Sequence, residues 1–146
     1  MINDAYDYFP SSNKTLYFFE SEGSQGKIRK VIIFTYAGKN LWNLAFGDLK
    51  NGDIDDSVIS NNHDIVKLIS TIAKAVYEFS AEFPKRAIII RPVDEKRKKL
   101  YNHVFRRNYE YINAIFHITG VSNGIDEDYS AKKFYDNFKL KRKFVK

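Results

Sequence analysis

The chain has 146 residues, no cysteine and a formal net charge of +6, and 44% of its residues are apolar. The length predicts a single domain over residues 1–146, and the apolar content excludes a disordered chain. The absence of cysteine excludes a disulfide framework, a thiol nucleophile and a cysteine zinc site.

Three strands are predicted in the first third of the chain. Residues 1–13 lack a regular pattern, and we expect an irregular N-terminus. The aromatic run Thr15–Glu20 and the β-branched run Ile28–Tyr36 predict two strands, joined across a turn-rich linker at 21–27. Leu41–Gly47 alternates in hydropathy and predicts a third strand. Consecutive strands of this kind indicate an antiparallel meander.

A long amphipathic helix is predicted after a polar connector at 48–60. Asn61 or Asn62 is its predicted N-cap, Asp64 lies in its predicted first turn, and Pro84 ends it. Its apolar side recurs at helical spacing and consists of Ile65, Leu68, Ile69, Ile72, Val76, Phe79 and Phe83.

The second half of the chain alternates strands and helices. Ala87–Ile90 predicts a buried strand, Asp94 caps a predicted helix that reaches Ile112, and Ala114–Gly120 predicts a further strand. We expect a loop at 121–128 and a short helix at 130–139. The order β-β-β-α-β-α-β predicts an α+β fold with a mixed sheet, two main helices and a short basic C-terminal helix or tail.

Basic residues concentrate in two segments. Residues 132–146 carry a net charge of +6 and residues 85–107 carry +7. Such clusters are typical of surfaces that bind an acidic protein or a nucleic acid. The predicted binding residues are Lys139, Lys141, Arg142, Lys143, Arg97, Lys98, Lys99 and Arg91. In the alternative interpretation, Phe134, Phe138 and Leu140 anchor a last amphipathic segment whose lysines are solvated.

The predicted strand–turn–helix at 87–101 offers a second interpretation of part of this set. Free N–H groups at a helix start favour an anion, and Arg91, Arg97 and Lys99 would stand near it. Alternatively, Asp94 and Glu95 supply the negative charge, and the helix is capped by its own residues with a solvated basic face.

Common catalytic and metal-binding motifs are absent from the sequence. The three histidines, His63, His103 and His117, form no close ligand pair, so we predict no metal site. Neither a nucleophile-elbow motif nor a glycine-rich nucleotide fingerprint occurs. The sequence contains no membrane-length apolar run and no signal-peptide pattern, and we expect a cytoplasmic protein without membrane association.

Three blocks of the sequence, Gly47–Val76, Arg97–Tyr101 and Phe116–Gly120, resemble a small bacterial family of the Bacteroidetes type that is classed as a domain of unknown function. The resemblance covers roughly residues 6–143. Relatives often carry Gly-Ser-Thr before an Arg-x-Arg-Leu-Tyr stretch. Here Arg97, Leu100 and Tyr101 match, Lys99 replaces the second Arg, and Pro92-Val93-Asp94 replaces Gly-Ser-Thr. The resemblance implies a fold and a bacterial, cytosolic origin without an activity.

The predicted order of elements is also similar to the acyl-CoA-dependent N-acetyltransferase core. In that core a Tyr of the last helix protonates the leaving thiolate, and Tyr101 falls in a comparable place. The sequence departs from this family at residues 57–62, which lack the glycine-rich pyrophosphate turn.

The function that we favour from the sequence is that of a non-enzymatic interaction protein without a cofactor, whose basic surface binds an acidic protein or a nucleic acid. The alternative is an acetyltransferase-like enzyme that binds acetyl-CoA and uses Tyr101. A third hypothesis is a homodimeric module joined through exposed aromatic side chains.

Overall fold

The computed structural model describes residues 4–50, 53–55 and 63–143, with 53–55 described as backbone only. Backbone contacts divide the chain into two compact units. Unit 1 comprises Met1–Thr35 and Leu44–Glu82, and unit 2 comprises Tyr36–Asn43 and Phe83–Lys146. The predicted α+β class with a mixed sheet is confirmed. No helix in the described part of the chain is long and apolar enough to cross a membrane.

The strands of unit 1 are β1 (Phe9–Pro10), β2 (Leu16–Gly23), β3 (Gly26–Gly38), β4 (Leu41–Lys50) and β5 (Asp53–Asp55), and the far end of β3 and the start of β4 belong to unit 2. The predicted meander corresponds to β2, β3 and β4. The short strands β1 and β5 were not predicted, because they lie in the segments 1–13 and 48–60 that were expected to be an irregular N-terminus and a polar connector. β2 and β3 pair antiparallel from Leu16↔Ile33 to Gly23↔Gly26. The expected linker at 21–27 is therefore a tight hairpin, in which Gly26 takes a positive φ of 82° that disfavours a side chain.

The predicted amphipathic helix is confirmed as α1 (Ile65–Glu82). It begins one residue after Asp64, whose carbonyl accepts from the Leu68 N–H at 2.9 Å, so Asp64 precedes the first turn instead of lying in it. Asn61 and Asn62, the predicted caps, lie outside the described residues. Phe79 stacks on Phe34 of β3 with ring centroids 3.9 Å apart, and this contact joins the helix to the sheet.

A buried ion pair lies within unit 1. The Lys30 ammonium on β3 donates to Asp48 Oδ1 on β4 at 2.5 Å, and both side chains are 1% exposed. Charges without water must be paired, because burial removes their hydration. The pair therefore connects two strands at a place where apolar side chains would be the ordinary choice.

Unit 2 contains the remaining strands and two shorter helices. They are β6 (Ala87–Ile90), α2 (Glu95–Arg107), α3 (Tyr109–Ile115), β7 (Phe116–Ser122), β8 (Ile125–Asp128) and β9 (Asn137–Arg142). The strand order is β6-β9-β7-β8, with antiparallel pairing throughout. The predicted strand at 87–90 and the Asp94 cap are confirmed, since Asp94 Oδ1 accepts from the Arg97 N–H at 2.8 Å.

Three local predictions in unit 2 are wrong. The expected loop at 121–128 contains the end of β7 and all of β8. The helix predicted to reach Ile112 is divided at Asn108 into α2 and α3. The short helix expected at 130–139 is instead the approach to β9 followed by its first residues. β9 lies between β6 and β7 and forms hydrogen bonds with both, so both of its edges are paired.

Candidate anion-binding surface

The basic C-terminal segment is built into the sheet of unit 2 as β9. Phe138 and Leu140 are buried, and the Phe138 ring stacks on Phe105 of α2 with centroids 4.2 Å apart. Lys139 and Lys141 alternate with them and therefore point to the opposite face. The prediction of a short C-terminal helix or tail is wrong, because the alternation of buried and more exposed side chains is that of a central strand with one buried face.

The four predicted binding residues of this segment differ in their surroundings. Lys139 forms an ion pair with Asp126 Oδ2 on β8 at 2.8 Å. Lys141 is exposed and lies opposite His117 of β7, and Lys143 is exposed just beyond the strand. Arg142 is half-buried, and its guanidinium carbon lies 5.7 Å from the Phe116 ring centroid. Lys141 and Lys143 are thus the members of this group that face solvent.

The predicted residues on and before α2 also separate into exposed and engaged side chains. Arg97 is 3% exposed, and its guanidinium lies 3.8 Å from the Asp94 carboxylate. Lys98 donates to Asp136 Oδ1 at 2.6 Å, and this hydrogen bond raises the Lys98 pKa and lowers the Asp136 pKa. Lys99 and Arg91 are exposed. These positions agree with the interpretation in which the helix is capped by its own acidic residues, because Arg97 lies against Asp94 and Lys99 lies on the solvated face.

Further basic residues on α2 were not predicted as binding residues. Their side chains are exposed and, together with Lys99, form one stripe that we name the α2 basic face: Lys96, Lys99, His103, Arg106 and Arg107. At 100° per residue these five positions fall within an arc of about 100°. The spacing at i, i+3, i+7, i+10 and i+11 is the signal that would have found them. Arg106 also donates to the Ala131 carbonyl at 3.3 Å, which places Lys132 next to this face.

Charge is unequally divided between the two units. Unit 2 contains 17 of the 24 basic residues and 7 of the 18 acidic ones, a net charge of +10, whereas unit 1 has a net charge of −4. Interleaved opposite charges are the usual arrangement on surfaces with no electrostatic task. An excess of this size therefore gives unit 2 a positive potential that favours acidic partners.

A sequence model of the family of unknown function DUF6934 matches residues 3–143. The chain belongs to this family. No curated protein and no solved structure matches it. The predicted membership of an uncharacterised family is thereby confirmed, and bacterial origin stays a prediction. The match to DUF6934 includes both α2 and β9, so the basic elements described above are parts of the family domain.

In this DUF6934 member, Tyr101 lies on the half-buried side of α2, away from the α2 basic face. Burial raises the Tyr101 pKa to about 12, with nearby Arg97 lowering it and Asp94 raising it. The phenol is therefore protonated at neutral pH. Its proposed role as a general acid stays a prediction.

Proposed function

We propose that this DUF6934 member is a non-enzymatic interaction protein, and that unit 2 binds an acidic partner, either a protein or a nucleic acid. The observation that supports this proposal is the α2 basic face, where four exposed lysine and arginine side chains and His103 lie within one arc of a helix. Lysine and arginine on such a face attract carboxylates or phosphates at contact and at a distance. The exposed lysines Lys141 and Lys143 add positive charge on and beyond β9.

An aromatic side chain beside the basic residues favours a nucleic acid among the acidic partners. Phe134 is 48% exposed, and the Lys98 ammonium lies 5.4 Å from its ring centroid. Proteins that bind single strands combine basic side chains for phosphates with exposed rings on which bases stack. An acidic protein would use the charge of the α2 basic face without needing this ring.

The test is fluorescence anisotropy with two labelled probes, a single-stranded oligonucleotide and a polyglutamate peptide, at two salt concentrations. Binding should weaken steeply with salt, because neutralised phosphates release counterions. The triple variant K99Q/R106Q/R107Q should lose binding. The control K39Q/K50Q/K85Q removes the same charge from exposed residues outside α2 and β9 and should retain most of it. Equal losses in both triples, or no binding of either probe at low salt, would refute the proposal.

A further variant separates the two partner classes. Phe134→Ala removes the exposed ring and keeps every charge, so it should weaken oligonucleotide binding by about fivefold or more, as for a lost stacking contact, and leave polyglutamate binding unchanged. Strong polyglutamate binding with no oligonucleotide binding would assign an acidic protein as the partner.

The acetyltransferase-like alternative is tested separately. Its support is the place of Tyr101 on α2, which is comparable to that of the general-acid tyrosine in the acetyltransferase core, and the phenol is protonated at neutral pH like that of an ordinary tyrosine. If the alternative holds, acetyl-CoA should raise the melting temperature, because a ligand of the folded state stabilises it. Acetyl transfer should then be lost in Tyr101→Phe. A melting temperature that is unchanged at millimolar acetyl-CoA would dismiss this alternative.

A further inference from the structure

Unit 1 contains a cavity of about 310 Å³ that is lined by the last turns of α1 and by residues of β1, β2 and the turn between these two strands. Its volume lies at the lower end of the range of about 300–1,000 Å³ that is usual for small-molecule sites. The described lining residues all belong to unit 1. We name this space the Tyr17 cavity, and its described lining consists of Pro10, Lys14, Tyr17, Glu78, Ala81 and Glu82.

The strand residues of the lining lie on the face of the sheet that α1 covers. Pro10 of β1 pairs with Tyr17 of β2, and directly opposite residues of neighbouring strands point to the same face. The Tyr17 ring contacts the Phe34 ring with centroids 5.7 Å apart, and Phe34 stacks on Phe79 of α1. Pro10 and Tyr17 therefore face the same space as the helix residues of the lining.

Two carboxylates of α1 line the cavity one helical turn apart. Glu78 and Glu82 continue the buried positions Thr71 and Ala75 at the spacing i, i+4, i+7 and i+11, which is one stripe of the helix. Like charges four residues apart repel each other on a helix. In the described part of the chain, no ammonium or guanidinium lies within 4 Å of either carboxylate. A cation bound between them would relieve this repulsion.

Glu78 is held in place by a tyrosine of the N-terminal segment. The Tyr8 hydroxyl donates to Glu78 Oε2, and the Tyr8 ring contacts the Tyr17 ring with centroids 5.1 Å apart. This hydrogen bond leaves Glu78 Oε1 for a ligand. Because the position of the carboxylate is already set, the entropic cost of binding is lower.

The Tyr17 hydroxyl is a buried polar group without a partner. Tyr17 is 2% exposed, and its hydroxyl forms no hydrogen bond to any part of the chain that the structure describes. Burial raises the Tyr17 pKa to about 12, and the charges of Glu78 and Glu82 add to the increase. These charges act on a hydroxyl that is near them, so the oxygen lies on the side of the ring that faces both carboxylates. A ligand that donates a hydrogen bond to this oxygen would offset the cost of its burial.

We propose that the Tyr17 cavity binds a small primary alkylamine in its ammonium form. An ammonium group has three N–H donors. The acceptors for them are Glu78 Oε1, the Glu82 carboxylate and the Tyr17 hydroxyl oxygen. The alkyl chain packs on Pro10 and Ala81, which supply the apolar part of the lining.

Lys14 limits the charge of the ligand. It lines the same cavity, and no carboxylate in the described part of the chain lies within 4 Å of its ammonium. A second positive charge on the ligand would be repelled by this ammonium. The cavity therefore favours a monoamine over a diamine.

The probe for the test is n-butylamine, titrated at neutral pH and constant ionic strength into the ¹⁵N-labelled full chain and followed by NMR amide shifts. The amine is protonated under these conditions, like a lysine side chain. Shifts should appear at Tyr17, Glu78 and Glu82. Two further probes complete the comparison: n-butanol, which lacks the charge, and tetramethylammonium, which lacks the N–H donors. Each should bind about tenfold or more weakly, which is the effect of losing charge-assisted hydrogen bonds.

Two variants test the acceptors. E78Q/E82Q should weaken butylamine binding about tenfold or more, and Tyr17→Phe, which keeps the ring, should weaken it about fivefold. The matched control for the double variant is E20Q/E22Q, which removes the same charge from exposed glutamates of unit 1 that do not line this cavity. The control should retain binding.

A third variant should act in the opposite direction. Lys14→Gln should tighten butylamine binding about twofold or more, because it removes a positive charge from the wall. Diaminobutane should gain more than butylamine from this substitution, since it carries the second charge that Lys14 repels. Lys50→Gln, an exposed lysine of unit 1 outside the cavity, is the control and should leave both affinities unchanged.

The proposal is overturned if no amide of the cavity shifts at millimolar butylamine, or if n-butanol or tetramethylammonium binds as tightly as butylamine. Equal changes in a variant and in its control would overturn it as well. Shifts at these residues with calcium chloride and none with butylamine would assign a metal ion in place of the amine. Because the cavity lies in unit 1, these outcomes are independent of partner binding by unit 2.

Discussion

Asn102 of α2 binds the backbone of Tyr135 in both directions. The Tyr135 N–H donates to Asn102 Oδ1 at 2.8 Å, and Asn102 Nδ2 donates to the Tyr135 carbonyl at 2.9 Å. Asn102 is 2% exposed and Tyr135 is fully buried. The segment that leads into β9 has no regular partner at this point, so one side chain takes the place of a strand neighbour.

Asn102→Ala should therefore destabilise the protein by about 1–3 kcal/mol, because it leaves a buried N–H and a buried carbonyl without these partners. The measurement is urea unfolding followed by circular dichroism. His103→Ala changes the next, exposed residue of the same helix and should cost no more than about 0.5 kcal/mol. Similar losses in the two variants would contradict the role assigned to Asn102.

Gly120 is required on β7 because the Tyr135 ring lies directly over it. A Cβ at position 120 would lie 2.4 Å from Tyr135 Cε1. Gly120→Ala should cost about 1–3 kcal/mol, as expected for overpacking. The loss of stability in the double variant G120A/Y135A should be smaller than the sum of the losses in the two single variants, because the clash between the added Cβ and the ring is absent. Full additivity in thermal unfolding would show that the ring is not the cause.

The buried pair Lys30–Asp48 predicts a strong asymmetry between single and double substitution. Lys30→Met removes the ammonium that neutralises a buried carboxylate and should cost about 3–5 kcal/mol, whereas K30M/D48L should recover most of that loss. Urea unfolding of the two variants measures the difference. Lys133→Met, which removes an exposed partner of Glu127, should change stability little. A double variant as unstable as K30M would argue against the pair as the cause.

Stability should fall in acid partly through Asp136. Its pKa is lowered by the hydrogen bond from Lys98 and by the Asn123 N–H, which donates at 2.9 Å. A carboxyl whose pKa is lower in the folded state stabilises the protein above its unfolded pKa, and that contribution is lost as pH falls through the folded value. The loss should begin below about pH 4, the ordinary range for Asp.

Chemical unfolding of the wild type and Asp136→Asn across this range provides the check. The variant should be less stable at neutral pH and should lose less on acidification. Glu110→Gln, an exposed acidic residue on α3, is the control and should follow the wild type. Parallel curves for wild type and Asp136→Asn would contradict the assignment.

Some elements could be predicted from the sequence because their signals are local. The apolar spacing of α1, the Asp94 cap and the run Ala87–Ile90 each depend on a few neighbouring residues. β9 could not be recognised in this way. Phe134 and Phe138 have helical spacing, whereas Phe138 and Leu140 have strand spacing. The choice depends on the edges of β6 and β7, which are distant in sequence.

The candidate site was predictable as a set of charges, but not as a surface. The sequence indicates which residues are basic, and the ion pairs of Lys98 and Lys139 depend on acidic residues that the fold brings near. The position of Tyr6 could not be predicted from the sequence, because the N-terminal segment that holds it has no regular pattern. Its position is set by hydrogen bonds to Asp64 and Thr71, more than fifty residues away.

The central position of β9 has a consequence for how unit 2 is assembled. β9 lies between β6 and β7 in the sheet and pairs with both strands. Ile88 of β6 pairs with Leu140 of β9, which lies about 50 residues further along the chain. During synthesis, therefore, β6 leaves the ribosome long before its partner and keeps an open edge in the meantime. Open edges of apolar strands are sites of aggregation. The basic residues that flank β6, namely Lys85, Arg86 and Arg91, leave the ribosome together with it, and their like charges keep newborn copies of the chain apart during this interval.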